Sequence, residues 1–354
     1  MSIKERKSLQ GVKEIAKLAN VSIGTVDRVL HNRPGVAKKT KEKVLAILEE
    51  YHYSPNLIGR SLSKKKSTLI IALIPHSSNE SAYWDAPLQG IQQAQEELAK
   101  YQVNLEILLY DQDDRHSFLK QIEKIKNMQL DGLVLAPTFL KESIAICEYC
   151  DENKIQYSFI NSDLKDCNNV AYYGPDLFQS GYLAGSLIKM LSKPGDQLLI
   201  VHVSKEMEED HHVLRKEEGL RTYLEEHDLG KKISRLFIQG TDFNLIARKL
   251  DSAFEELKPQ VVFVSNSRVS SVARFLQDRQ IQDVRLIGFD FMPDNLKYLK
   301  EEVIDFLICH KPIEQGFMAV KSLFNKIVLN QSTQKINFMP LDIICKENYF
   351  YYEN

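Results

Sequence analysis

Long apolar runs are missing from this chain. The longest, Leu69 to Ile74, falls far short of the roughly 20 residues a membrane-spanning helix needs. The opening residues, MSIKERKSLQ, have no apolar centre and are not expected to act as a secretory signal. Cysteine is sparse: five residues, an odd number without the spacing of a disulfide framework, which fits a reducing cytoplasm. Cys147-x-x-Cys150 lies in a helical stretch with no second Cys or His pair nearby, so free thiols are expected there. The signatures GxxxxGK(S/T), GxSxG and HExxH are absent, as is GxGxxG after the first predicted strand. No enzymatic activity, cofactor or metal is therefore expected. His211-His212 beside Glu208, Glu209 and Asp210 can imitate a metal site, but such clusters on polar loops are ordinarily solvated.

Net charge is also nearly absent, at −2 over 354 residues, a length that implies two or three domains. The near-neutral total hides a division. Residues 1–66 hold 15 Lys/Arg against 6 Asp/Glu, a net +9, and the remainder holds 31 against 42, a net −11. A basic head on an acidic body places any polyanionic partner at the head.

Within the head, Val12, Ile15, Ala16 and Ala19 recur at the spacing of a short amphipathic helix. Asn20, a residue that tolerates left-handed backbone, ends it, and Ser22 is a good N-cap for a second helix facing inward with Val26, Val29 and Leu30. Two short helices joined so tightly make a helix-turn-helix, whose second helix can enter the DNA major groove. After the polar turn HNRPGVAKK, a third helix brings Val44, Leu45, Ile47, Leu48 and Tyr51 over the other two.

The run VKEIAKLANVSIGTVDRVLHNRPGVAKKTKEKVLAILEEYHYSPN resembles the headpiece of the LacI/GalR transcriptional regulators, and the likeness continues to the C-terminus. Three residues depart from the family pattern: Asn20 for a turn Gly, Asp27 for a common Ser, and Ala37 for a capping Ser. The resemblance implies that Ile23 and Gly24 select bases, Ile23 against a thymine methyl, with Ser22, Thr25, Arg28 and Asn32 also at the DNA. Arg28 can read a base, touch the backbone or pair with Asp27. Asp27 can accept from a cytosine amino group or neutralise Arg28. The headpiece is expected over 1–54 and a hinge segment over 55–66. In the hinge, Leu57 and Leu62 lie near helical spacing, and a helix this short is marginal alone in water. By the resemblance it orders in the minor groove, with Leu62 as a wedge and Gly59 allowing close approach; a plain flexible linker is the alternative.

From Leu69, short apolar runs alternate with amphipathic helices: 69–74, 103–110, 132–137, 157–161, 197–203, 233–238, 261–266 and 284–290. That alternation predicts two successive parallel α/β domains. The expected architecture is thus a small all-α helix-turn-helix headpiece plus an α/β, periplasmic-binding-protein-like body of two doubly wound parallel-sheet lobes. The first lobe is expected near 67–172 plus 305–329 and the second near 173–304 plus 330–354.

Ligands in such sheets sit beyond the carboxyl ends of the strands, here between lobes. The candidates at those ends are His76, Tyr83, Trp84, Asp111 with Gln112, Thr138, Asn161, Asp163, Asn266 and Asp290. The resemblance strengthens Asp290 and Asn266, suggests Arg215 as the ligand-gripping arginine, and puts His310 where ribose-binding relatives carry a glutamine. Carboxylates, amides and an arginine beside one or two aromatic faces suit a neutral polyol, since each can bond adjacent hydroxyls. The expectation is a cytoplasmic DNA-binding regulator, a repressor, acting as a homodimer on a palindromic operator under a sugar-like effector. The rivals are a sugar sensor that has lost DNA binding and a helix-turn-helix fused to an enzyme.

Overall fold

The structure, a computed structural model, describes residues 11–30, 33–51, 67–78, 82–204, 211–227, 230 and 232–352; of His211 it describes the backbone alone. The chain forms two compact units, residues 1–66 and 67–354. Asn32 and the hinge candidates Leu57, Gly59 and Leu62 lie outside the described residues.

The first unit contains α1 (Val12–Ala19), α2 (Ile23–Leu30) and α3 (Lys38–Glu50). Asn20 takes up φ 54° and ends α1, and Val21 N–H bonds back to Ala16 O at 2.9 Å, which satisfies a carbonyl the helix leaves open. Ile15, Ala16, Ala19, Val26, Val29 and Val44 form the core, flanked by the partly buried Ile47 and Leu48. Leu45 is a correction: expected inward, it is 45% exposed, because Val44 takes the inward phase of α3.

The second unit holds two sheets of six strands. Its elements are β1 (Thr68–Pro75), α4 (Asp85–Leu98), β2 (Val103–Tyr110), α5 (Arg115–Lys126), β3 (Gly132–Leu135), α6 (Leu140–Glu152), β4 (Gln156–Ile160), β5 (Ala171–Gly174), α7 (Leu177–Leu191), β6 (Gln197–Ser204), α8 (His211–Glu226), β7 (Lys232–Gln239), α9 (Phe243–Leu257), β8 (Val261–Val264), α10 (Val269–Asp278), β9 (Arg285–Phe289), α11 (Pro293–Lys300), β10 (Phe306–Cys309), α12 (Pro312–Ile327), β11 (Ile336–Phe338) and β12 (Asp342–Ile344). The first sheet runs β11-β5-β4-β3-β1-β2, all parallel; the second runs β12-β10-β9-β8-β6-β7, parallel except for β12. Helices cover both faces of each sheet, and so the central strands read as unbroken apolar runs.

The chain crosses between the lobes three times: after β5, after β10 and after β11. Three expected placements are corrected by this. Strand β10, within 305–329, pairs with β9 and β12 in the second sheet; β5, straddling 173, and β11, beyond 330, pair in the first. Apolar content marks a strand but not its partner, which is chosen by contacts distant in sequence. Two helix crossings are unusually close. A Cβ on Gly181 of α7 would lie 1.7 Å from Lys216 O of α8, and one on Gly219 would lie 1.9 Å from Phe178 O. In the first lobe, Gly90 of α4 and Gly316 of α12 meet Ile313 O and Pro87 O at 1.8 and 2.2 Å by the same measure. Only glycine allows such contact, and each crossing fixes the rotation of a helix that carries a polar group inward.

Candidate functional site

A cavity of about 120 Å³ opens between the two lobes of the body, where the carboxyl ends of both sheets converge. That is room for fewer than about ten waters, the scale of a monosaccharide. The first lobe contributes Tyr83 and Trp84, Gln112 and Asp113 after β2, Thr138 after β3 and Asn161 after β4. The second contributes His212 and Lys216 from α8, Asn266 and Arg268 after β8, Asp290 after β9 and His310 after β10.

Two of these residues occupy left-handed backbone directly at a strand end: Asn161 with φ 68° and Asp290 with φ 75°. Asn and Asp carry this conformation at least cost among side chains other than glycine. Buried Asn295 holds the Asp290 turn, its Nδ2 donating to the carbonyls of Phe289, Asp290 and Ser267 at 3.0, 3.0 and 3.1 Å. Opposite, Tyr83 donates its hydroxyl to Asn161 Oδ1 at 2.8 Å and Trp84 Nε1 donates to Gln112 Oε1 at 2.9 Å. Burial, and then the Asp290 charge, push the Tyr83 phenol well above its ordinary range, so it remains a donor. The tyrosine ring meets Trp84 edge-on at 5.1 Å between centroids.

Charges in the wall are nearly balanced. Arg268 reaches across the lobes to Asp113 at 3.8 Å, and Asp290 lies 3.2 Å from His310 Nε2. Lys216 is 5% exposed; its Nζ donates to Ser265 O at 3.2 Å and sits 3.7 Å over the Phe289 ring. Burial draws the Lys216 ammonium down to about 8, with the Asp290 charge opposing. Behind it, Glu217 accepts from His202 Nε2 at 2.7 Å, Arg221 Nε at 2.6 Å and Arg235 Nε at 2.9 Å, while His202 Nδ1 bonds Ser265 Oγ at 2.6 Å.

In the first unit, α2 turns Ile23 outward, 50% exposed, with Ser22, Gly24 and Arg28 exposed beside it. The Ser22 hydroxyl caps α2, accepting Thr25 N–H at 3.1 Å and bonding Thr25 Oγ1 at 2.9 Å. Asp27 pairs with Arg33 at 3.4 Å, a partner beyond the helix that sequence reading did not consider.

Both parts match known families. Residues 11–56 match the lacI family of bacterial regulatory proteins, and residues 71–330 match the periplasmic binding protein domain. The chain belongs to the LacI family. Catabolite control protein A of Priestia megaterium is 27% identical, over 78% of this chain and 81% of its own. The ribose operon repressor of Halalkalibacterium halodurans is 25% identical, over 80% of each chain. The crystal structure of a putative LacI transcriptional regulator from Bacteroides fragilis superposes with TM-score 0.74 at 28% identity, covering 81% of this chain and all of that one.

Of the body residues this LacI-family chain suggested in sequence, the structure brings Tyr83, Trp84, Thr138, Asn161, Asn266, Asp290 and His310 to one cavity. Four fall elsewhere. His76 bonds its own neighbour Ser77 O at 2.8 Å in an exposed loop. Asp111 accepts Asp113 N–H at 2.9 Å and builds the turn that presents Gln112 and Asp113. Asp163 lies past the Asn161 turn, outside the cavity lining. Arg215 faces solvent over Phe178 and pairs with Glu218. With Gly219 pressed on α7, the inward phase of α8 falls on 212 and 216, one position beyond the arginine. Sequence reading missed Lys216, Arg268, His212 and Asp113; the i,i+4 pair His212 and Lys216 was the signal available.

Gly24 gives a local prediction. A Cβ there would meet only Ser22 Oγ at 3.8 Å, so Gly24→Ala fits. It should stabilise α2 by about 0.5 kcal/mol, below the full helix-interior difference because the site is in the first turn. Base preference should shift at the pair facing position 24, as read by selection from a random duplex library; an unchanged preference would remove Gly24 from the readout surface.

Proposed function

We propose that this LacI-family regulator is a cytoplasmic repressor that binds a palindromic operator as a homodimer, under control of a neutral polyhydroxy ligand held between the lobes. The observation that carries the ligand class is the pairing inside the cavity: Asp113 with Arg268 and Asp290 near Lys216, flanked by amides and the Tyr83 and Trp84 edges. A wall with balanced charge and both donors and acceptors suits hydroxyls, which do both, and leaves buried polar groups unpaired against an apolar ligand. The relatives named for catabolite control and the ribose operon support the same reading. For the homodimer the support is geometric, since a two-fold protein on a two-fold site aligns both recognition helices with identical half-sites. Ligand closure of the lobes would bias the spacing of the two hinge segments, with Leu62 the proposed wedge in the minor groove.

The test is selection of bound duplexes by the full-length protein, followed by sugar screening on the recovered site. A palindrome is expected, with affinity falling on a log–log salt plot by roughly 0.9 per phosphate neutralised. Binding indifferent to salt, or an asymmetric single half-site, would remove the dimeric docking account.

A further inference from the structure

The side chain of Gln315, wholly buried in the first turn of α12, has both ends of its carboxamide fixed by main-chain groups whose roles cannot be exchanged. Asn161 N–H can only donate, and it is shared between Tyr173 O and Gln315 Oε1, each at 3.1 Å. The carbonyl of His310 can only accept, and it accepts from Gln315 Nε2 at 2.7 Å. The amide orientation is therefore settled without reference to the imidazole. The same Nε2 lies 2.9 Å from His310 Nδ1, so its second hydrogen points at that ring nitrogen. Nδ1 must offer a lone pair, and the ring proton belongs on Nε2, 3.2 Å from Asp290 Oδ1.

We infer that Gln315 is a positioning residue of the cavity, which holds His310 as its Nε2–H tautomer and thereby keeps Asp290 a pure acceptor. With one carboxylate oxygen facing the imidazole N–H, the other is left for a ligand hydroxyl that donates. A carbonyl or ether oxygen in that place would meet a carboxylate with nothing to give it, and this selects which hydroxyl-bearing end of a sugar enters the second lobe. Gln315 also belongs to the helix that has just crossed into the first lobe, so a first-lobe residue sets the chemistry of a second-lobe group. Through Asn161 and the Tyr83 hydroxyl, one carboxamide joins both walls. The specificity consequence rests on the effector reading above; the tautomer does not.

The experiment is a long-range proton–nitrogen correlation spectrum of full-length protein labelled with nitrogen-15 histidine, with His310 assigned by its loss in His310→Gln. The wild type should show a protonated Nε2 and an unprotonated, pyridine-type Nδ1. Gln315→Glu, of the same shape but with two acceptor oxygens, should move Nδ1 into the protonated range. A wild-type His310 protonated at Nδ1 overturns the inference whether or not the variant folds. So does a folded Gln315→Glu whose His310 pattern is unchanged at a pH where the new carboxyl is ionised, since only then has it no proton to donate. Failure of every sugar to bind the wild type would count against the effector reading and leave the tautomer result standing.

Discussion

Lys216→Met should make the protein more stable and its ligand response weaker. The ammonium is nearly wholly buried, makes one hydrogen bond to a carbonyl, and among the described residues has no carboxylate in direct contact. Burial lowers its pKa from 10.5 to about 8. A base whose folded pKa is depressed binds fewer protons folded than unfolded between those values, so stability rises with pH across that window. Below pH 8 the burden is present in full, on the order of 3 kcal/mol at about 1.4 kcal/mol per unit. Methionine fits the same channel and keeps a sulfur over the Phe289 ring, so a net gain of about 2 kcal/mol is expected at neutral pH. The variant's advantage should fade as pH rises from 8 towards 10.5. Ligand affinity should fall roughly 10- to 100-fold, the loss of one charge-assisted hydrogen bond. Denaturant melts at pH 7 and pH 10 with ligand titrations would decide it. A variant less stable than its parent at pH 7 would mean that the contacts of Lys216 outweigh its desolvation.

Glu217→Gln should act in the opposite direction. Its carboxylate is 3% exposed and gathers His202, Arg221 and Arg235. Burial alone would raise its pKa, but hydrogen bonds from His202 and Arg221 and the arginine charge outweigh burial and hold it at about 2. An acid depressed from 4.5 to about 2 contributes stability that is complete above 4.5 and is lost as pH falls towards 2. The neutral amide leaves two arginines unbalanced and places an NH2 against donors. A loss of about 3 kcal/mol at pH 7 is expected, at the lower edge for a broken buried pair because both arginines keep some solvent. The gap between variant and parent should narrow between pH 4.5 and 2. A gap that stays constant through that range would show that the carboxylate charge is not what holds the cluster.

How much of this was legible in sequence follows from the range of the interactions. The helix-turn-helix is local: Asn20 ends one helix, Ser22 begins the next, and the inward stripe is written at fixed spacing. The central strands were equally plain, because burial on both faces leaves few polar residues in them. Strands β5 and β11 were missed; AYYG and INF are too short to carry a pattern, and pairing with each other and with β4 defines them. Strand ends indicated where to seek ligand groups, and Asn161, Asn266 and Asp290 were found that way, while His310 came from the family resemblance. Which side chain turns inward was not legible. That depends on a left-handed residue at the strand end, or on a glycine on a facing helix setting the phase, as Gly181 and Gly219 do for Lys216.

The triple crossing between lobes also sets a timetable for synthesis. The first sheet is complete only when β11 pairs with β5, and one of its faces is covered by α12, yet α12 begins at Pro312 and β11 at Ile336. β5 ends at Gly174, so the ribosome must translate nearly half the protein while that face and edge stand open. At about 5–20 residues per second the wait is roughly 8 to 30 s. Apolar residues of β1, β3 and β4 that end beneath α12 are uncovered for that time. A growing polypeptide of this design carries an open apolar face and an unpaired strand edge until α12 and β11 have been made.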